Sequence, residues 1–320
     1  MTIRVAIIGL GIMGRRMLEN MLRHPEYDVT AMWDPSTASC DAAKALSPET
    51  PVTETAEAAI AKADLVYLAC PPVPRKAYAL TAAAQGKAVF LEKPLGVGIA
   101  ESEALVEALA KSGVPAAVNF TQAAGAAMRG ISASAQSGEM GTLHGVDIVV
   151  TYGQWPRLWQ QAADWLRFRD EGGMTREVIS HFLFFSERIL GPLSLTWARP
   201  SYPADAALCE THMLARLENA EGTPVTVMAS VGGAQPDRQE LTVKGSTKSW
   251  RVSDFYAEAH SEGGPFVALD RNLGDPRTAS LKAQLDDLLL LVAGQPNRLA
   301  TPAEALRVQK LVEAMLQGTT

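Results

Sequence analysis

Disulfide, membrane and nucleic-acid chemistry are all poorly provided for in this chain. Cysteine occurs three times, at Cys40, Cys70 and Cys209. An odd number of isolated cysteines gives no disulfide framework and points to a reducing compartment, here expected to be the cytoplasm. No run of about 18 apolar residues exists, which excludes an ordinary membrane span. The N-terminus enters a strand pattern at once, with no signal-peptide layout. There is no lysine- or arginine-rich block, and the net charge is −6, so a nucleic-acid partner finds no basic stripe. Cys209-Glu210-Thr211-His212 has Cys-x-x-His spacing but no second pair, so no metal site is expected. Repeats and low-complexity tracts are absent. What remains is an ordinary globular composition, 47% hydrophobic and 20% charged over 320 residues, enough for two domains with separate cores.

The most informative stretch is Gly9-Leu10-Gly11-Ile12-Met13-Gly14, directly after the apolar run Ile3 to Ile8. G-x-G-x-x-G carries meaning where it joins a strand to a helix. Gly9 permits a tight turn, Gly11 lets backbone approach a pyrophosphate, and Gly14 lets the helix pack on the strand. The helix from about Gly14 to Arg23 then offers unpaired N–H groups to phosphate. A second strand, Val29 to Trp33, ends at Asp34, twenty residues after Gly14. An acidic side chain there suits the hydroxyls of an adenosine ribose.

Strands and helices alternate through the first third: helix 37–46, helix 55–62, strand 64–69, helix 75–85, strand 88–91, helix 101–111 and strand 114–120. Short apolar strands separated by helices predict a doubly wound parallel sheet, and the first domain is expected to span residues 1–120. Beyond it, over 121–320, the pattern predicts an α+β domain on a mostly antiparallel sheet. Its expected elements are a helix over 122–136, strand 143–152, a Trp-rich irregular segment and an apolar helix reaching Leu190. Strand-like runs follow at 206–217, 224–231, 239–243 and 249–252. Two helices close the chain, about 278–292 and 302–316, and the last is a candidate to pack back on the first domain.

Glu92-Lys93-Pro94 follows the strand 88–91. A lysine at the carboxyl end of a parallel strand lies over the ligand crevice, where it can hold a hydroxyl or pass a proton. With these residues on the page, the chain resembles the glucose–fructose oxidoreductase / inositol dehydrogenase (Gfo/Idh/MocA) family. Gly9 to Gly14, Cys70-Pro71-Pro72, Glu92-Lys93-Pro94, Val118-Asn119-Phe120 and Ser137-Gly138-Glu139-Met140-Gly141 carry the resemblance. It implies an N-terminal Rossmann domain and a C-terminal substrate and oligomerisation domain. The implied assembly is a homodimer or homotetramer.

The resemblance also implies a histidine on a helix after Gly172-Gly173. His181 matches it, while Glu177, Ile179 and Phe184 stand where the family usually has Asp, Gly and Asp. Glu177 and His181 are four apart and share a helix face; Thr175 is a candidate cap for that helix. Expected catalytic residues are therefore Lys93, His181 and Glu177. Expected cofactor contacts are Gly9, Gly11, Ile12, Met13, Gly14, Asp34, Cys70, Pro71, Glu92 and Lys93. Asn119, Trp155 and Arg176 are expected toward the substrate. The implied cofactor is NAD, with NADP left open by Arg15 and Arg16. The implied reaction moves a hydride between nicotinamide and a secondary alcohol or carbonyl of a sugar-like or cyclic hydroxylated molecule. A non-catalytic dinucleotide-binding regulator and an NAD-dependent lyase or glycosidase are the alternatives.

Overall fold

The computed structural model describes residues 2–161, 163–271 and 274–319. The chain divides into two compact units. One contains the stretch up to Ala124 and Thr278–Leu306; the other contains Gly125–Arg277 and Arg307–Thr320.

The first unit alternates as its apolar pattern dictates. Its elements are β1 (Ile3–Ile8), α1 (Ile12–Leu22), β2 (Tyr27–Trp33), α2 (Thr37–Leu46), α3 (Ala56–Ile60), β3 (Leu65–Leu68), α4 (Pro72–Ala84), β4 (Ala88–Glu92), α5 (Ile99–Ser112) and β5 (Ala116–Asn119). The strands run in the order β2-β1-β3-β4-β5, all parallel. The order reverses between β1 and β3, the place where open α/β sheets bind ligands. Helix α4 starts earlier than the expected residue 75. Pro72 sits in its first turn, where a missing N–H costs nothing.

The second unit begins with α6 (Ala126–Gln136) and β6 (Leu143–Tyr152), and continues through α7 (Ser180–Leu190) and β7 (Ser194–Ser201). Strands β8 (His212–Glu218), β9 (Pro224–Val231), β10 (Arg238–Gly245), β11 (Ser249–Ser253), β12 (Ala257–Ser261) and β13 (Val267–Leu269) follow. They build one sheet, β13-β12-β11-β10-β6-β9-β8-β7. Among the described residues its β6–β9 pair is parallel and the other pairs are antiparallel.

Two sequence expectations are corrected here. The run 206–217 is a strand only from His212, because residues 206–211 form a loop. The cut at residue 120 also fails to divide the units cleanly. Helix α8 (Pro276–Val292) buries Leu281, Leu285 and Leu288 in the same core as Val5, Ile7, Met17, Tyr27 and Phe90. Polar contacts fix it there. Tyr27 donates its hydroxyl to Leu285 O at 2.7 Å, and Gln284 Nε2 donates to Phe120 O at 2.7 Å. Helix α9 (Pro302–Gln317) runs from the first unit into the second, the division falling after Leu306.

Candidate active site

The first unit offers a candidate dinucleotide site in the turn between β1 and α1. Gly9 has φ +96°, and a Cβ on it would lie 2.4 Å from Cys70 N. A Cβ on Gly14 would lie 1.9 Å from Gly9 O, so the helix can start this close only with glycine there. A Cβ on Gly11 would meet nothing within 4 Å, which leaves open space over the turn. Helix α1 has no side-chain cap and no acidic residue in its first turn, so its positive end is left for an anion. Asp34 reaches this turn from the end of β2. Its Oδ2 accepts the Leu10 N–H at 2.7 Å and its Oδ1 accepts the Ser36 N–H at 2.8 Å. Arg15 donates to Leu10 O at 2.6 Å. These residues fit a dinucleotide. The space over Gly11 and the uncapped helix suit its pyrophosphate, and Asp34 retains lone pairs for ribose hydroxyls.

The turn bearing Lys93 is fastened by Arg75, which the sequence did not single out. Arg75, on α4, is 3% exposed. It donates to Cys70 O at 2.5 and 3.2 Å, to Glu92 O at 2.6 Å and to Pro94 O. One guanidinium thus ties the ends of β3 and β4 to the turn bearing Lys93. Burial lowers its pKa, against the opposing pull of Cys70, Glu92 and Tyr67. Beside it the Glu92 carboxylate accepts from the Tyr67 hydroxyl and, at 2.6 Å, from Asn119 Nδ2. Burial pushes the Glu92 pKa up, and those hydrogen bonds pull it down. Asn119, expected toward the substrate, is 1% exposed behind Glu92. It supports Glu92 and does not line an open surface. Arg75 is one of two adjacent basic residues, with Lys76, in an otherwise mostly apolar stretch, and nothing local tells the buried one from the other.

In the second unit the candidate catalytic side chains lie on the helix carrying Glu177 and His181. It opens with a π-helical turn, Thr175–Ile179, and continues as α7. Such turns recur at functional sites. Glu177 lies in that turn and His181 in the first turn of α7. His181 is 7% exposed. Phe182, the next residue, stacks on Phe255 with ring centres 5.2 Å apart.

The expected Thr175 cap is replaced by a carboxylate from another segment. Glu210, 2% exposed, accepts the Thr175 N–H at 2.7 Å. A Cβ on Gly173 would sit 2.4 Å from Glu210 Oε2, so the glycine makes room for this carboxylate. Burial raises the Glu210 pKa, opposed by its bonds to Thr175 and by Arg176. Glu210 was read only as part of an incomplete Cys-x-x-His pattern; a loop residue that caps a distant helix leaves no local signal.

Arg176, expected toward the substrate, has another task. Its Nε and Nη2 each lie 2.7 Å from the Glu313 carboxylate, and Nη1 donates to Arg169 O and Gly172 O. Those bonds brace the helix start against α9 and use its fork up. Trp155 keeps its indole N–H on Leu166 O at 2.9 Å, leaving only ring faces for contact. Among the described residues no group of three or more His, Cys, Asp or Glu side chains is placed to hold a metal. No helix there is long and apolar enough to cross a membrane.

The fold and the glycine turn together define an NAD-binding oxidoreductase. Residues 3–120 match the family model described as oxidoreductase family, NAD-binding Rossmann fold (GFO_IDH_MocA). The match covers the parallel-sheet unit, which is similar to the NAD-binding domain of that Gfo/Idh/MocA family. It is 26% identical to a protein of Amycolatopsis mediterranei named as a UDP-kanosamine synthase oxidoreductase subunit, over 98% of this chain and 95% of that one. It is 38% identical to an inositol 2-dehydrogenase of Acidiphilium cryptum, over 34% of this chain and 33% of that protein. A crystal structure of an oxidoreductase from Agrobacterium radiobacter, in complex with NAD+, L-tartaric acid and magnesium, shares the fold. Its TM-score is 0.85 at 16% identity, covering 99% of this chain and 96% of that one.

Proposed function

We propose that the protein is a dehydrogenase that oxidises or reduces one secondary carbon of a sugar-like or cyclic hydroxylated small molecule. The observation that carries this reading is the clamp under Lys93. A buried arginine holds three backbone carbonyls so that a lysine stands at the carboxyl end of β4, next to the switch-point strands. An ordinary surface lysine has no need of such a mounting.

The bound cofactor supplies or accepts the hydride. The chain's own residues do the rest. Asp34 and the α1 N-terminus hold the dinucleotide. Lys93 positions the reacting oxygen and helps move its proton. His181 is the main acid/base, with Glu177 orienting it or shaping the pocket. The relatives named above supply the sugar and cyclitol precedent. Ile179 and Phe184 argue against a common hexose or inositol, because Phe184 cannot return the hydrogen bonds of the carboxylate it replaces. NAD is the preferred form, and the compartment is the cytoplasm, suited to three free cysteines. The assembly is a homodimer or homotetramer. The test is turnover of sugars, polyols, ring diols and 2-oxo acids followed at the NADH absorbance. Efficient use of unmodified glucose or myo-inositol removes the apolar-pocket argument. Activity confined to simple oxo acids removes the sugar-like assignment.

A further inference from the structure

Arg157 lies in the Trp-rich segment after β6, and its guanidinium faces three aromatic rings. The Cζ atom is 4.7 Å from the Trp159 ring centre, 5.4 Å from Tyr152 and 5.7 Å from Trp155. Its Nε donates to Gln160 Oε1 at 2.7 Å. That bond fixes which way the Gln160 amide points, and Gln160 Nε2 then reaches Glu177 Oε1 at 3.4 Å. Arg157 is therefore one side chain removed from the expected acid/base pair.

The rest of its fork is uncommitted. Among the described residues, neither Nη atom has a hydrogen-bond acceptor or a carboxylate within ion-pair distance. Arg176, nineteen residues on, shows the usual alternative, with its fork spent on Glu313 and two carbonyls. A second polar group beside Arg157 is also unspent. The Tyr152 hydroxyl is fully buried and has no partner in hydrogen-bond geometry among the described residues. The Gln239 amide is close to it but outside that geometry. Glu177 and Asp237 are the acidic groups near Tyr152, and neither pairs with Arg157.

Aromatic faces hold a guanidinium well but leave its N–H edge unsatisfied. Two Nη groups in one plane match two oxygens of a carboxylate or phosphate. We propose that Arg157, with Tyr152 beneath it, receives an oxyanion of the substrate, so that the sugar-like compound carries a carboxylate or a phosphate. This deepens the dehydrogenase reading and rests on Glu177 and His181 facing the substrate.

Calorimetry on the full chain saturated with NAD tests it, with D-glucuronate, D-glucose 1-phosphate and D-glucose as probes. At least one anion is expected to bind more tightly than glucose, and which one tells carboxylate from phosphate. Arg157→Gln should weaken that anion by about 10–100-fold, the range for a lost bond to a charged group, and leave glucose unchanged. Should Arg157→Gln fail to fold by circular dichroism, Arg157→Lys keeps the charge without the fork and must still weaken the anion selectively. Binding of glucose as tight as both anions, no binding of either anion, or an anion preference that survives the folded variants overturns the proposal. Anion binding that depends on Arg157, with no hydride transfer to any compound, supports the subsite and counts against the dehydrogenase reading alone.

Discussion

The ring of Phe255 meets the imidazole of His181 edge-on, with centroids 5.8 Å apart and planes at 86°. Phe255 stands in the turn between β11 and β12 at φ 67°, directly after Asp254 at φ 51°. Aspartate tolerates that backbone region, whereas a bulky side chain there is a real outlier. Strain of about 1–3 kcal/mol persists only where something over-determines it, and the contact with His181 supplies the reason. Phe255→Gly relaxes the backbone and frees the imidazole. It is expected to lower kcat by about 10–100-fold, the scale of a misplaced catalytic group. The loss of stability should be smaller than the roughly 3–5 kcal/mol of an ordinary core Phe truncation. Steady-state kinetics and thermal melting read the two effects; an unchanged kcat removes the positioning role.

Lys93→Ala and His181→Ala should each cut turnover by about 10²–10⁴-fold, the range for general acid–base groups. NADH affinity, read by fluorescence titration, should barely change. If both variants keep near-full turnover on the true substrate, the mechanism is wrong.

Asp34→Ala is expected to weaken NADH binding and to narrow the preference for NAD(H) over NADP(H), since the carboxylate repels a 2′-phosphate. It also releases the Leu10 and Ser36 N–H groups, so the loss includes turn order. Binding constants for both cofactors decide it. Equal or tighter NADP(H) binding by the unmodified protein contradicts the preference.

Arg75→Met leaves the carbonyls of Cys70, Glu92 and Pro94 without their donor. Each buried unpaired acceptor costs about 1–3 kcal/mol, so a marked drop in the urea midpoint is expected. A midpoint close to that of the unmodified protein shows that water replaces the guanidinium.

Glu210 gives a pH signature. Burial raises its folded-state pKa above the ordinary 4.5. The folded protein then holds a proton that the unfolded chain releases, so this group's contribution falls as pH rises from about 4.5 through the folded value. Glu210→Gln keeps an acceptor for the Thr175 N–H and removes the titration. Relative to the unmodified protein, the variant should gain stability as pH rises from 4 toward 7. Denaturation curves at several pH values check the slope; a parallel pair of curves means the carboxyl titrates alike in both states.

The parallel sheet and its glycine turn were legible because their signals are local: an apolar strand, three glycines at fixed spacing, an acid at the next strand end. Strand β7 was not. It contains Pro200 and exposes Trp197 at the sheet edge, where a missing ladder N–H is tolerated, so neither alternation nor β-propensity marks it. The residues expected to do chemistry were named from the chain, whereas those that hold them were not. Arg75, Glu210 and Phe255 act on segments 18, 35 and 74 residues away from themselves. No window of sequence contains both partners. Asn119 and Arg176, polar residues in the expected stretches, bond to Glu92 and Glu313, partners that no local pattern announces.

The docking of α8 has a consequence for synthesis. Leu281, Leu285 and Leu288 complete the core of the dinucleotide unit, yet they leave the ribosome long after β5. A nascent chain that already carries the whole parallel sheet therefore still shows an apolar cleft along α1 and β2, which closes only when the last seventh of the protein arrives. Domains fold as units, and exposed apolar surface invites aggregation in the interval. A fragment ending at residue 120 would be held permanently in that interval, a sheet without its lid.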